Sequence, residues 1–153
     1  MHDAKAHFSL AATLGIYLLL PLGMNGLIFG LGWSTPRPSN PMLPPGWAVG
    51  SIWMLLFAAM GTARWLCESA ALSGRAAHWI DALAILCLLY PLYTLGLRSD
   101  TIGLAGTIVT AIFAAAVIAK AQQASRPAAA LTSAVLLWLV YAGIATARGL
   151  RKA

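Results

Sequence analysis

Trp33-Ser34-Thr35-Pro36-Arg37-Pro38-Ser39-Asn40-Pro41-Met42-Leu43-Pro44-Pro45-Gly46-Trp47, followed by Trp53 and Phe57 within the next apolar stretch, decides how this chain folds. The segment is polar, carries five prolines and separates two long apolar runs. Proline fixes φ and pushes the preceding residue toward extended geometry, so the segment is not helical and is stiff for its length. A stiff loop with tryptophans at both ends places large aromatics at the mouth of a helix bundle. Residues 31–46 are therefore expected to form a lid that begins near Trp33 and ends at Pro44 and Pro45.

The runs on either side are long enough to cross a membrane. Of 153 residues, 60% are hydrophobic and only 9% charged, and the mean hydropathy is +0.79, well above what a water-soluble domain carries. A spanning helix needs about 20 mostly apolar residues, because the hydrocarbon core is roughly 30 Å thick. Five such segments are legible, approximately 8–30, 47–67, 79–97, 101–119 and 128–147. They leave no room for a further domain, so residues 1–153 are expected to form one five-helix transmembrane domain. The links after the second, third and fourth segments are short, which makes successive helices antiparallel neighbours. No internal repeat with matching broken helices is present.

The charges follow the same plan. Apart from Arg64 near the end of the second segment and Asp81 at the start of the third, they lie at or outside the segment limits, as the cost of charge in lipid requires. Arg64 and Asp81 fall near the same membrane edge and are expected to pair there or to snorkel to the interface. Lys5 precedes the first apolar run as in a signal peptide, but the run is too long for one and no small-x-small site ends it, so it is expected to stay as a helix. The net charge of +6 comes from scattered basic residues with no basic face, which excludes nucleic acid as a partner. Five spans put Lys5, Arg64, Arg75, Lys120 and Arg126 on one side and Arg37, Arg98, Arg148, Arg151 and Lys152 on the other, so the charge balance selects no orientation. Cys67 and Cys87 lie in or beside apolar segments, where a thiol acts as a small hydrophobe rather than half of a disulfide.

Three segments combine aromatics with small residues on one face. On the second, Trp47, Gly50, Trp53, Met54, Phe57, Met60 and Gly61 share a stripe. On the fifth, Ala134, Trp138, Tyr141, Ala142 and Ala145 do so, and on the third Cys87, Tyr90 and Thr94, with Pro91 beside them as a kink. The alternative is ordinary helix packing with interfacial tryptophans. If the faces converge, they enclose an apolar cavity with indole and phenol donors, suited to a flat hydrophobic molecule.

These residues carry a specific resemblance. Pro44-Pro45-x-Trp47, Trp53, Phe57, Met60 and Gly61 resemble the Pro-Pro-x-Trp-x-x-x-x-x-Trp-x-x-x-Tyr-x-x-Met-Gly pattern of the TspO/MBR family, the tryptophan-rich sensory proteins that include the translocator protein, or peripheral benzodiazepine receptor. Pro21, Gly26, Trp33 and, at the other end, Trp138-x-x-Tyr141-Ala142 extend the likeness over nearly the whole chain. The resemblance implies an all-α membrane protein, a five-transmembrane-helix bundle of the TspO/MBR type. The chain is a divergent member. Met42 stands where the family has a loop tryptophan, Cys87-x-x-Tyr90 replaces Asn-x-x-Trp, the aromatic pair that follows is reduced to Tyr93, Thr94 and Leu95, and Ala134-Val135 replaces Pro-Tyr.

By the same resemblance, the expected function is binding of a tetrapyrrole, porphyrin or haem, or a similar flat hydrophobic ligand, as sensor, regulator or carrier. The implied ligand contacts are Trp47, Trp53, Phe57, Cys87, Tyr90, Trp138, Tyr141 and Ala142, with Trp33, Met42, Pro44 and Pro45 in the covering lid. No cofactor is required, porphyrin or haem counting as ligand. The partners are the lipid bilayer, the hydrophobic small molecule and, through small residues on several faces, a second copy in a homodimer. Sterol recognition ranks below porphyrin, because Leu89, Tyr93 and Arg98 form only a loose motif. His2, His7 and His78 lack metal-ligand spacing, and no catalytic set assembles from four acidic residues. The competing readings are a porphyrin-degrading membrane enzyme and a structural or accessory membrane protein without a small-molecule site.

Overall fold

The computed structural model describes residues 9–33, 42–70, 74–97 and 99–151. Lid prolines Pro36, Pro38 and Pro41, tail residues His2, Lys5 and His7, and the cations Arg37, Arg98 and Lys152 lie outside the described residues.

Five long helices account for nearly all of it: α1 (Leu10–Gly30), α2 (Gly46–Ser69), α3 (Gly74–Pro91), α4 (Asp100–Ala124) and α5 (Arg126–Leu150). A π-helical turn, Leu92–Gly96, prolongs α3. All five are long and apolar enough to cross a bilayer, α1 with 21 residues just meeting the roughly 30 Å that the hydrocarbon requires. The other helices outrun the apolar segments by several residues, because backbone hydrogen bonding continues into the interface where polar side chains are tolerated.

The helix ends are written in the sequence. Ser9 caps α1 by accepting from the Ala12 amide at 3.2 Å, and Ser99 caps α4 with Asp100 in its first turn, where a carboxylate complements the helix dipole. Beyond Gly30 the chain turns through Gly32 at φ 65°, a left-handed conformation that favours glycine. Ser125 is the whole link between α4 and α5: extended, it ends α4 with its amide on the Ala121 carbonyl at 2.7 Å and caps α5 with its hydroxyl.

Each helix packs on the next, and α5 returns against α2, so that α2 touches α1, α3 and α5. Around the bundle the order is α1, α2, α5, α4, α3, with α3 meeting α1 again. The lid joins the C-terminus of α1 to the N-terminus of α2, which also places the ends of α3 and α5 and the start of α4 at that end of the bundle. The apolar core lies away from it. Phe57, Met60 and Cys67 of α2, Ile80 and Leu83 of α3, Val117 of α4, and Val135 and Leu139 of α5 are essentially sealed. Toward the lid the buried positions of α4 are instead Gly103, Thr107 and Thr110. Leu55, Ile112 and Leu137, each about 70% exposed, face outward as lipid contact requires.

At the end opposite the lid the intramembrane charges meet. Arg64 Nε donates to Asp81 Oδ1 at 2.8 Å and its Nη1 to Glu68 Oε2 at 2.7 Å, while the Tyr17 hydroxyl donates to Asp81 Oδ1 at 2.6 Å. The expected Arg64–Asp81 pair is thus present, and it ties α1, α2 and α3 together. Cys67 and Cys87 are buried free thiols.

Candidate functional site

The described parts of the lid are fastened at two corners. At one, the Trp33 indole lies over Gly96, where an added Cβ would meet its Cη2 at 3.2 Å. At the other, the Tyr141 hydroxyl donates to the Met42 carbonyl, and Arg148 Nη1 lies 3.7 Å from the Met42 Sδ. The described ends of this loop thus meet the end of α3, through Trp33, and the end of α5, through Met42. Pro44 is half-buried and Pro45 exposed at the N-terminus of α2.

Beneath the first corner the backbone is specialised. Pro91 has no N–H to give the carbonyl four residues back, and after it the chain widens into the π-helical turn, closed by the Leu97 amide on the Leu92 carbonyl at 3.2 Å. The kink expected at Pro91 takes this form. Thr94 Oγ1 donates to the Tyr90 carbonyl at 2.7 Å. Glycines of α4 receive the side chains of the turn: a Cβ on Gly106 would stand 2.4 Å from Cε2 of the Tyr93 ring, and one on Gly103 would stand 3.2 Å from the Thr94 methyl. Hydroxyls of the same helix face the phenols, Thr107 Oγ1 lying 3.3 Å from the Tyr90 hydroxyl and Thr110 Oγ1 3.4 Å from that of Tyr93.

The aromatics form two groups. One is a chain across the bundle, Tyr17 to Phe57 (6.5 Å between ring centres), Phe57 to Trp53 (6.2 Å), Trp53 to Tyr90 (5.8 Å) and Tyr90 to Tyr93 (5.4 Å), all within the range of attractive ring contact. The other is Trp138 with Tyr141 at 5.6 Å on α5, directly beneath the Met42 corner.

Of the sequence-based contacts, Trp53, Phe57 and Tyr90 come together in the first group, with Cys87 buried one turn before Tyr90. Trp138 and Tyr141 form the second, next to buried Ala142. Trp47 joins neither: it is 78% exposed at the start of α2. At about 100° per residue it stands about 80° off Phe57, at the edge of a wide stripe, and it sits where an interfacial tryptophan anchors a helix. Sequence reasoning did not assign Thr107, Thr110, Gly96, Gly106 or Arg148. Buried small residues recurring every three or four positions along α4, Gly103, Thr107, Thr110, Ala114, were the available signal.

Five membrane-length helices and the sequence profile of the TspO/MBR family matching residues 30–150 settle the family. The chain belongs to the TspO/MBR family. Among curated proteins, none matches the chain. It is a multi-pass integral membrane protein, and the bilayer is its solvent. In this TspO/MBR protein the family-pattern residues Pro44, Pro45, Trp53, Phe57, Met60 and Gly61 divide by role. The first two set the lid's approach to α2, Trp53 and Phe57 build the aromatic chain, and Met60 and Gly61 seal α2 against its neighbours, the Tyr17 ring lying within 3.0 Å of a Cβ at Gly61. Met42 serves through its backbone carbonyl and its sulfur.

Proposed function

We propose that this TspO/MBR protein binds a tetrapyrrole or a similar flat hydrophobic molecule at the lid end of the bundle, and that it acts as a sensor or carrier. The observation that carries the proposal is the lid fastened to both α3 and α5 above two aromatic groups, at the end of the bundle where the apolar core gives way to glycines and hydroxyls. Binding would draw on burial of ring area against Trp53, Tyr90, Tyr93, Trp138 and Tyr141, worth about 25 cal/mol per Å² of apolar surface. The phenols and the Thr107 and Thr110 hydroxyls supply the few polar contacts. Trp53 and Tyr90 are 5.8 Å apart. A ring between them needs about 7 Å, twice a carbon contact distance of about 3.5 Å, so insertion requires them to part. A ligand that stays under the lid without intercalating does not.

The test is a protoporphyrin titration of the purified protein in detergent, read by quenching of tryptophan fluorescence. Saturable quenching is expected, with the midpoint shifted to higher concentration in Trp53→Ala and in Trp138→Ala. Identical titrations in all three proteins would remove the site assignment and favour an accessory membrane protein. Loss of the porphyrin absorbance with formation of a product, stopped by the same substitutions, would favour the degrading enzyme.

A further inference from the structure

Nearly every threonine inside the bundle spends its hydroxyl on its own helix. Buried Thr107, Thr110 and Thr132 each donate to the carbonyl four residues back at 2.8 Å, and half-buried Thr62, Thr94 and Thr146 do the same. Thr13 departs from this. It is 2% exposed, and its Oγ1 has no hydrogen-bond partner among the described residues, although the Ser9 carbonyl one turn back accepts the Thr13 amide at 3.0 Å. Leaving a buried hydroxyl unpaired costs about 1–3 kcal/mol, so such a group calls for a partner.

The space beside it is built for one. Thr13, Ile16, Tyr17, Arg64 and Asp81 line a half-open pocket of about 180 Å³ at the end of the bundle opposite the lid. One wall is apolar, the Ile16 side chain and the Tyr17 ring. The other presents Asp81, whose two oxygens are used unequally. Oδ1 accepts from both Tyr17 and Arg64, whereas His78 Nδ1 lies 3.7 Å from Oδ2, beyond hydrogen-bond reach. Arg64 also serves Glu68, so among the described residues one guanidinium stands against two carboxylates. That balance repels an anion. Two acceptor oxygens beside an apolar wall also suit a hard metal cation poorly, since such ions seek a shell of oxygens.

We propose that this pocket binds a small primary ammonium group, its N–H bonds donated to Thr13 Oγ1 and Asp81 Oδ2 and its carbon tail laid against Ile16 and Tyr17. A cavity of about 150 Å³ accepts benzene, so this one admits about six to eight non-hydrogen atoms. Thr13 lies in the first turn of α1, about 5 Å from the end of the span and within reach of the headgroup region. The ammonium therefore belongs either to a free alkylamine or to an ethanolamine headgroup, which share this chemistry.

Isothermal titration of the protein in maltoside micelles with ethylammonium, ethanolamine and tetramethylammonium tests it. The first two are expected to bind saturably, while tetramethylammonium, which has no N–H, binds at least tenfold more weakly. Thr13→Val keeps the side-chain volume and removes the acceptor, and should weaken ethylammonium roughly tenfold, the loss expected for one hydrogen bond to a charged group. Asp81→Asn should abolish binding, and a thermal melt of each variant separates that loss from unfolding, with Thr13→Val decisive if Asp81→Asn unfolds. Absence of saturable binding, equal binding of tetramethylammonium, or unchanged affinity in Thr13→Val would overturn the proposal. Reconstitution in phosphatidylcholine vesicles with and without phosphatidylethanolamine then assigns the source. Weaker ethylammonium binding when phosphatidylethanolamine is present marks the headgroup as occupant, and equal binding marks the free amine.

Discussion

Tyr141 and Gly106 show how much of the lid end rests on single residues. The Tyr141 hydroxyl on the Met42 carbonyl is one of few bonds joining the described lid residues to the bundle. An ordinary hydrogen bond contributes about 1 kcal/mol net, so Tyr141→Phe should open this corner roughly fivefold more often. Hydrogen exchange at the Leu43 and Gly46 amides is the readout, and exchange no faster than in the native protein would show that the corner is held otherwise. Gly106 is the reverse case, an absence of side chain that admits one. With the Tyr93 ring 2.4 Å from where its Cβ would stand, Gly106→Ala must displace an aromatic that also lies beside Thr110. A loss of about 1–3 kcal/mol, the usual cost of overpacking, is expected in detergent unfolding, together with weaker porphyrin quenching. Neither contact could be assigned from the sequence: Tyr141 could be placed on a face and, by resemblance, at a ligand, but not given the Met42 carbonyl 99 positions away, and a glycine in an apolar helix looks the same whether it meets lipid or a ring.

At the scale of elements, α3 is the least regular and the most consequential. The π-helical turn after Pro91 sets Tyr93 toward Gly106, Thr94 toward Gly103 and Gly96 beneath Trp33. Pro91→Ala restores the missing N–H, and if α3 then winds regularly the residues beyond it rotate away from these partners. Weaker porphyrin binding is expected, and a titration matching the native protein would mean that the turn stands without the proline. The other end of α3 carries Asp81, which Arg64 and Tyr17 join to α2 and α1. Arg64→Met should destabilise the protein by about 1–3 kcal/mol, below the figure for sealed ion pairs because both side chains retain some exposure. Replacing both partners, Arg64→Met with Asp81→Leu, should recover most of the loss, and failure to recover in an unfolding titration would place the cost elsewhere. The Arg64–Asp81 pair was legible because two charges near one membrane edge have few alternatives. Tyr17 as the third member was not, since a tyrosine in an apolar run fits an interface equally well.

For the whole molecule, run lengths of apolar residues revealed five helices, because span length depends on local chemistry alone. The helices extend past the apolar limits, to Ser69, Ala124 and Leu150, since charge and polarity mark the hydrocarbon boundary rather than the end of backbone hydrogen bonding. The return of α5 onto α2, the gathering of the core at one end and the outward setting of Trp47 arise from packing between distant segments, which periodicity cannot supply. On the proposed function, that uneven packing is what leaves the lid end suited to a ligand. Hydrogen exchange of the whole protein with and without protoporphyrin tests this most directly. The account predicts added protection in the lid and the start of α2, the π-helical turn, and the end of α5 around Tyr141, with none in the first turn of α1. Protection confined to lipid-facing segments, or absent throughout while porphyrin is bound, would contradict it.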